Sequence, residues 1–342
     1  MSEKFQFSRL IGLLAVGALL VGCLDVEMHT RVHPNGSLTR YIEVKGDSAD
    51  IFNSGFPVPR DESWQPVFTP AEENRVYYRI EKQFPDVDAL NAEFEAGDRF
   101  TPAITIRGEL ERKFRWFTTE LTYREIHSVN NPITAVPLES YIKPGDLELL
   151  FLNLVDPKSV ESDSSEIVRL ETQLNEWYIA NEFTAFFDLL IKAAAHRDAG
   201  ECVETLRTKR EAMFQDILQQ EIEPGNVAEW TEYFEGFLED STLRSLVQAN
   251  QVPFGLLDQQ YQIQDEIIFS QYVNRISLPD NISASNASEV DGVTAYWPDY
   301  SVRLLTGEVE MWARTRHLNA WAWLVSILIL LAVAYGFYRR RT

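Results

Sequence analysis

The chain has 342 residues, a mass of 39.3 kDa and a formal net charge of -21 at pH 7. Its 45% hydrophobic and 12% aromatic residues are enough to form a substantial core, which excludes wholesale disorder. The acidic balance excludes nucleic acid as a favoured partner, because a phosphate backbone repels such a surface. Two cysteines exclude a disulfide-rich scaffold and a four-cysteine metal site.

Residues 1–22 have the pattern of a bacterial lipoprotein signal peptide. Two basic residues precede the uncharged apolar run 10–22, which is too short to span a bilayer but fits a signal-peptide core. The run leads into a sequence that resembles the lipobox, Leu20-Val21-Gly22-Cys23. The resemblance implies cleavage before Cys23, which would carry a covalent diacylglycerol and an acyl chain such as palmitate. The disfavoured alternative is an ordinary N-terminal membrane anchor with a chance cysteine.

The first exported segment, 23–160, is predicted to be rich in β-strands. Apolar and polar residues alternate over 25–45 on either side of the turn Pro34-Asn35-Gly36-Ser37, which is typical of a hairpin. Asp86 is predicted to cap a short helix that carries Leu90 and Phe94. Further strands are predicted at 75–82, 103–110 and 113–127, and residues 128–160 are predicted to be connections around a short apolar segment, 147–155.

A helical subdomain is predicted at 161–252, because apolar residues recur there at three- and four-residue steps. Strands are predicted again after Pro253, at 264–278, 293–297 and 304–313. The sequence therefore predicts an α+β fold. One β-rich domain would be built from 23–160 and 253–317, with antiparallel helices inserted at 161–252 and a transmembrane helix near the C-terminus.

Residues 318–338 have the pattern of that transmembrane helix. Twenty consecutive residues, 318–337, are uncharged and would cover about 30 Å as a helix, the thickness of the hydrocarbon layer. A buried core helix is the disfavoured alternative. Aromatic residues mark one predicted membrane interface at Trp321 and Trp323 and the other at Tyr335 and Tyr338. The basic tail 339–342, with Arg339, Arg340 and Arg341, is predicted to stay in the cytoplasm.

The two predicted anchors together place the main domain outside the cytoplasmic (inner) membrane, on its periplasmic or extracellular side. A spanning helix is effectively permanent, whereas a single lipid chain holds weakly, so transfer to an outer membrane is disfavoured. Residues 24–317 carry 51 acidic and 26 basic side chains. This charge predicts that the exported domain stands off anionic lipid headgroups.

Several short motifs resemble those of bacterial LppM-type lipoproteins. They are Cys23 leading directly into the Asn35-Gly36 hairpin, Phe84-Pro85-Asp86 with Leu90-Asn91, Leu278-Pro279-Asp280 with Ser285-Asn286-Ala287, the strand at Trp297, and the closing membrane helix. The helical insertion lies outside the resemblance, and the family often has glycine where this chain has Asp280. The resemblance implies a membrane-anchored lipoprotein, and it transfers no functional residue beyond the lipidated Cys23.

Motifs for enzyme chemistry are absent from the sequence: it has no HExxH, GxSxG, P-loop, GxGxxG or CxxC. We therefore predict no catalytic residue, no metal site and no cofactor beyond the lipid on Cys23. His29 and His33 share a predicted strand face with Glu27 and offer a metal site, but solvated side chains are favoured. A solvated helix face is likewise favoured for the acidic row Glu229, Glu232, Glu235 and Glu239. An unreactive, partly buried thiol is favoured for Cys202.

One predicted helix is unusually aromatic, with Trp177, Tyr178, Phe183, Phe186 and Phe187. These side chains would line an apolar pocket, form a docking patch, or pack in a core, and core packing is favoured. Three classes of function follow. A non-enzymatic envelope protein that docks another envelope or membrane protein is preferred, a binding module for a lipid or other apolar ligand comes second, and an enzyme using scattered carboxylates comes last.

Overall fold

The computed structural model describes residues 24–47, 51, 53–60, 62–64, 67–70, 76–95, 101, 103–155, 164–197, 200–220, 222 and 224–341. Strands from both halves of the chain form two sheets. The strands are β1 Asp25–Val32, β2 Leu38–Gly46, β3 Val67–Pro70, β4 Val76–Phe84, β5 Ala103–Arg115, β6 Thr118–Asn130, β7 Gln271–Ser277, β8 Ile282–Ser285, β9 Glu289–Asp291, β10 Thr294–Trp297 and β11 Val309–Leu318.

The helices include the predicted short one at the start and the predicted long one at the C-terminus. They are α1 Val87–Phe94, α2 Pro144–Val155, α3 Ser164–Ala195, α4 Gly200–Gln220, α5 Val227–Leu238, α6 Thr242–Gln248, α7 Gln251–Phe269 and α8 Ala320–Arg341. Short 3₁₀ turns lie at Leu138–Ser140 and Ser301–Thr306. The predicted α+β class with a C-terminal helix is confirmed.

The larger sheet has the strand order β3-β4-β2-β1-β7-β10-β9, and the smaller has the order β5-β6-β11-β8. β1 pairs with β2 as the predicted antiparallel hairpin, where Gly36 takes a positive φ of 92° in the turn. On its other side β1 pairs in parallel with β7, with Asp25 opposite Gln271. Strands on either side of the helices thus lie in one sheet.

The main hydrophobic core lies between the two sheets. Alternate residues of β1, such as Val26 and Met28, are buried together with Leu121 and Tyr123 of β6. This two-residue period explains why the hairpin could be predicted from the sequence. α1 adds Leu90 to the same core, and the Asp86 carboxylate accepts the backbone N–H of Ala89 as the predicted cap.

The predicted strand at 264–278 is wrong over its first six residues. α7 continues to Phe269, and β7 begins only at Gln271. The buried residues of α7 recur at helical steps, namely Phe254, Leu257, Tyr261, Ile263, Gln264 and Ile267. Because Gln264 is polar, this helical stripe is interrupted in the sequence, and the apolar run Ile267-Ile268-Phe269 gives the appearance of a strand.

Candidate functional site

The C-terminal helix leaves the β-rich domain beside the β5–β6 hairpin. β11 pairs with β6 up to Leu318, which lies opposite Thr118. The strand therefore includes the first residue of the predicted transmembrane segment, and α8 begins two residues later, at Ala320. Asn319 is the buried residue between strand and helix.

Asn319 ties this junction to the turn of the β5–β6 hairpin. Its side-chain Nδ2 donates to the backbone oxygens of Arg115 (3.3 Å) and Trp116 (3.1 Å). Its backbone N–H donates to the oxygen of Phe117 (2.9 Å), and its Oδ1 accepts the Thr119 hydroxyl (3.0 Å). These four hydrogen bonds fix the start of α8 relative to the hairpin.

Within the described chain, α8 is the one helix long and apolar enough to cross a membrane. The candidate span covers 21 residues, Ala320–Arg340, and its most apolar 18-residue window has a mean hydropathy of 2.1 and almost no burial against the rest of the protein. At 1.5 Å rise per residue it extends about 32 Å, which matches the hydrocarbon layer. Leu324, Leu328 and Leu331 are among its exposed apolar side chains. This surface indicates association with a membrane.

The predicted interface residues lie near the two ends of α8 and are exposed. Trp321 and Trp323 are on its first turn, and Tyr335 and Tyr338 are on its last two turns. Arg339 and Arg340 follow within the same helix, and the side chain of Arg341 lies outside the described residues. Their roles at the membrane surfaces and in topology stay predictions.

The tip of the β5–β6 hairpin is an aromatic feature that the sequence interpretation missed. The strands predicted at 103–110 and 113–127 leave Glu111 and Arg112 between them. In the structure β5 continues to Arg115, and the turn is Trp116-Phe117. Phe114, Trp116 and Phe117 remain 57%, 45% and 39% exposed. The sequence signal was the run Phe-Arg-Trp-Phe, which is unusual in a turn.

This aromatic tip contacts the first turns of α8. Phe114 stacks on Trp321 with ring centroids 6.1 Å apart and an interplanar angle of 8°. Trp116 meets Trp321 edge to face at 5.4 Å, and Phe117 lies 4.4 Å from Trp323. The Trp116 indole Nε1–H also donates to Ser326 Oγ at 2.9 Å. The domain is thus attached to the apolar helix by side chains as well as by the chain itself.

A fully buried ion pair connects the two sheets inside the β-rich domain. Arg40 of β2 donates from Nη1 to Glu125 Oε1 of β6 at 2.6 Å, and both side chains are 0% exposed. Glu125 also accepts hydrogen bonds from the hydroxyl of Thr30 (3.1 Å) and from Nε2 of His127 (3.2 Å). The Nε and Nη2 atoms of Arg40 have no acceptor among the described residues.

Burial and pairing set the charges in this cluster. The Arg40 guanidinium and the His127 hydrogen bond outweigh burial and hold the pKa of Glu125 at about 2, so it is a carboxylate. Burial lowers the pKa of His127, so the ring is neutral. With its Nε2 proton donated to Glu125, His127 accepts the Tyr300 hydroxyl at Nδ1, 2.8 Å away. The cluster is enclosed between the sheets, and we interpret it as a structural connection.

We expect the free energy of unfolding to fall as the pH is lowered from neutral towards about pH 4. Burial, with Arg31 and Arg275 nearby, lowers the pKa of His29 from 6.5 to about 4. A depressed pKa means that the folded state binds fewer protons, so this stability is present above pH 6.5 and is lost as the pH falls through about 4. His127, whose pKa burial also lowers, adds to the loss below pH 6.5, and Glu125 adds a further loss between pH 4.5 and about 2.

Urea unfolding of the full chain in detergent at a series of pH values measures this dependence. The variant His29→Gln keeps a polar group near Ser277, which His29 contacts at 2.8 Å, and should reduce the slope above pH 4. His196→Gln, at an exposed helix end, is the matched control. Equal slopes in the two variants would contradict the assignment to His29.

The five aromatic residues predicted as a pocket, patch or core lie along α3. Phe183, Phe186 and Phe187 are buried in the helical core with Trp230 and Phe234. Tyr178 donates its hydroxyl to Asp265 of α7. Burial, together with nearby Glu182 and Asp265, raises the pKa of Tyr178. Trp177 belongs to a separate small cluster with Leu138 and Leu170. Packing therefore accounts for the three phenylalanines.

A cleft lies where the helices meet the β-rich domain. It is narrow and partly open to solvent. Residues of β6, the loop that follows it, α3, α7 and the 301–306 turn line it, including Val129, Ile133, Trp177, Ile263, Gln264 and Leu305. Its described lining contains no carboxylate, so the acid and base groups of a carboxylate enzyme are not found in this cleft.

The other candidate polar sites have local partners. His29 contacts the Ser277 hydroxyl and His33 contacts that of Thr39, each at 2.8 Å. Burial and nearby Asp240 raise the pKa of the Cys202 thiol, which reduces its thiolate fraction. No group of three metal-binding side chains occurs within the described residues. The lipobox, including Leu20, Val21, Gly22 and Cys23, lies outside the described residues.

No protein-family model and no curated protein sequence matches the chain. Among solved structures, the NMR structure of the folded domain of Mycobacterium tuberculosis LppM is similar, with a TM-score of 0.27 and 8% identity. The match covers 88% of this chain and 94% of that chain. This is a weak resemblance at the level of the fold. Membership of an LppM-type family stays a prediction from the sequence motifs, and function is argued from this chain's own contacts.

Proposed function

We propose that the protein is a non-enzymatic cell-envelope lipoprotein whose exported domain docks another envelope or membrane protein. The observation that carries the proposal is α8, an exposed apolar helix joined to the folded domain through buried Asn319. A spanning helix holds the domain permanently at the bilayer. Confinement there raises its effective concentration near other membrane proteins without any additional contact.

The proposed topology combines α8 with the lipobox. A lipid on Cys23 and a spanning α8 both attach to the cytoplasmic membrane, with residues 24–317 on its outer side and the basic tail after Tyr338 in the cytoplasm. The support is the signal-peptide pattern of 1–22 and the positive charge of Arg339, Arg340 and Arg341.

The charge of the helices favours a protein partner with a basic surface. Residues 211–269 contain twelve acidic side chains and one basic side chain, Arg244. Arg244 is itself paired with Glu235 at 2.7 Å. Glu229, Glu232 and Glu239 on α5 and at its end are exposed. Such a surface repels anionic headgroups and accelerates association with a basic protein.

In-cell photo-crosslinking of the full chain tests this proposal. We expect a photoreactive residue at Glu232 to give one protein adduct of discrete mass. The same residue at Glu81, an exposed position on β4, should not give that adduct. The double variant Glu229→Lys, Glu239→Lys should weaken the adduct, because it reverses charge at two exposed positions beside the probe.

Two outcomes would argue against docking through this face. One is an adduct of equal yield from Glu232 and Glu81, which indicates random encounters at the membrane. The other is an adduct that the charge-reversed variant leaves unchanged. A uniform absence of adducts, with α8 still inserted, would favour the second candidate function.

That second candidate is binding of an apolar ligand, and the cleft between the helices and the β-rich domain favours it. The cleft is narrow and lined mainly by apolar side chains, so only a small apolar molecule, and not a two-chain lipid, would enter it. Native mass spectrometry of the full chain would reveal such a molecule as an added mass. Loss of that mass in Leu305→Trp, which fills the cleft, would assign it to this site.

A further inference from the structure

The outer part of the β5–β6 hairpin extends beyond the folded domain. Every residue from 111 to 117 is exposed, whereas Ile104 and Ile106 lower on β5 are buried in the main core. A projecting hairpin of a soluble domain would carry polar residues at its turn. This one carries Phe114, Trp116 and Phe117.

Contact with α8 does not cover these aromatic rings. Their exposed fractions of 57%, 45% and 39% are those that remain with α8 in place. Exposed Leu318, at the end of β11, extends the same apolar patch. A contiguous exposed apolar surface of this kind is typical of an interaction site.

The hydrogen bond of Trp116 fixes the level of the apolar patch along the axis of α8. Its indole donates to Ser326, which lies six residues beyond Ala320 and so about 9 Å along the axis of α8. The tip therefore lies beside the first two turns of the apolar helix. Any bilayer that surrounds α8 from its first turn also surrounds the tip. Tryptophan is enriched at this depth because its ring is apolar and its N–H is polar.

The charge next to the tip differs in sign from the rest of the protein. Residues 111–120 and 314–318 carry five basic side chains and two acidic ones. The basic residues are Arg112, Lys113, Arg115, Arg314 and Arg316, and the acidic ones are Glu111 and Glu120. Asp280 lies beside them and contacts His317 at 3.0 Å. Long basic side chains at this level can reach lipid phosphates while their stems lie along apolar surface.

We propose that the tip of the β5–β6 hairpin, residues 111–117, inserts into the outer leaflet of the membrane that α8 spans. Phe114, Trp116 and Phe117 lie at the boundary between headgroups and acyl chains, and the adjacent basic side chains contact lipid phosphates. This rests on the membrane-spanning role of α8 in the proposed function. It replaces the sequence-based expectation that the acidic domain stands off the headgroups at every side.

The insertion would give the domain a fixed orientation on the membrane. The lipid on Cys23 and a single helix allow the domain to rotate and tilt, because each attaches at one point. A hairpin inserted beside α8, and tied to it through Asn319 and Ser326, adds a third point of contact. The acidic helices are then presented to neighbouring proteins in a constant orientation.

Depth-dependent fluorescence quenching tests the insertion on the full chain. The background carries Cys23→Ser and Cys202→Ser, and an environment-sensitive fluorophore is attached at Phe114→Cys. Matched positions are Gln83→Cys, exposed on β4, and Ile329→Cys, exposed on α8. Each protein is reconstituted in vesicles of phosphatidylcholine and phosphatidylglycerol that contain lipids with a quencher near the headgroup or deep in the acyl chain.

We expect shallow-quencher lipids to remove most of the emission at position 114 and little of it at position 83. Deep quenchers should act on position 329. Quenching at 329 but not at 114 would overturn the hairpin insertion and leave the membrane-spanning helix intact. Loss of quenching at both positions would overturn the anchoring itself, and the insertion with it.

The basic side chains are tested in the same vesicles. The variant Arg112→Gln, Lys113→Gln, Arg115→Gln changes three exposed residues, so it should fold as the parent does. We expect it to reduce shallow quenching at position 114 more in vesicles with phosphatidylglycerol than in pure phosphatidylcholine. An equal effect in the two kinds of vesicle would overturn the contact with anionic headgroups.

Discussion

We expect the substitution Glu125→Leu to lower the free energy of unfolding by about 3–5 kcal/mol. The side chain is fully buried, and its removal leaves the Arg40 guanidinium charged and without its carboxylate between the two sheets. Burial of an unpaired charge costs more than the pair contributes while it is intact. Urea unfolding of the full chain in detergent, followed by the fluorescence of the buried tryptophans, measures the change.

The double variant Arg40→Met, Glu125→Leu is the informative control. It removes both charges and keeps much of the buried volume, so it should recover most of the stability that the single variant loses. Glu43→Leu, at the exposed pair with Arg79, should have little effect, because surface pairs contribute little. A double variant no more stable than Glu125→Leu would show that Glu125 acts through Thr30 and His127 instead.

Local sequence signals were sufficient for the elements that have a regular period or a specific cap. The Asn35-Gly36 turn, the Asp86 cap and the apolar steps of α3 each depend on neighbours within a few residues. Such signals can be recognised in a single sequence because hydrogen-bond geometry and side-chain period are local properties. The fold class followed from their order along the chain.

Contacts between distant residues could not be predicted in this way. Arg40 and Glu125 lie on separate strands 85 residues apart, and each alone is typical of a solvated strand face. Their pairing appears only when the two sheets face each other. A distant contact also explains the wrong prediction at Gln264. This polar residue is buried in α7 and accepts a hydrogen bond from Asn181, a partner that the sequence does not reveal.

The hairpin tip illustrates a different failure. The predicted strands left Glu111 and Arg112 as the connection, whereas general turn preferences disfavour a turn at Trp116-Phe117. Sequences depart from local rules where function requires it, so an aromatic turn is itself informative. Here the departure coincides with the start of the apolar helix α8, and the two features support each other.

Unlike the exposed aromatic residues of the hairpin tip, the phenylalanines of α3 are buried. Phe183, Phe186 and Phe187 pack inside the helical core, so they are not available to a docking partner. Val252 is the strongly exposed large apolar side chain in the described part of 164–269. The outer surface of the helices is therefore mainly polar and acidic. For this reason we attribute docking to charge complementarity and not to apolar contact.

We expect Phe186→Ala to lower the free energy of unfolding by about 3–5 kcal/mol. Phe186 is fully buried, and its ring lies 5.0 Å from that of Phe234 and 5.6 Å from that of Phe254. Truncation leaves a cavity at a point where three helices meet, α3, α5 and α7. Phe186→Leu should cost less because it fills more of the space, and Val252→Ala at an exposed position should change little.

Thermal unfolding of the full chain in detergent measures these differences. Below the unfolding temperature, the adduct from a photoreactive residue at Glu232 should be unchanged in Phe186→Ala, since the substitution alters the interior and not the acidic surface. If Phe186→Ala lost the adduct while it was still folded, the result would contradict docking through the acidic surface. It would indicate that the aromatic residues of α3 become exposed to contact the partner directly.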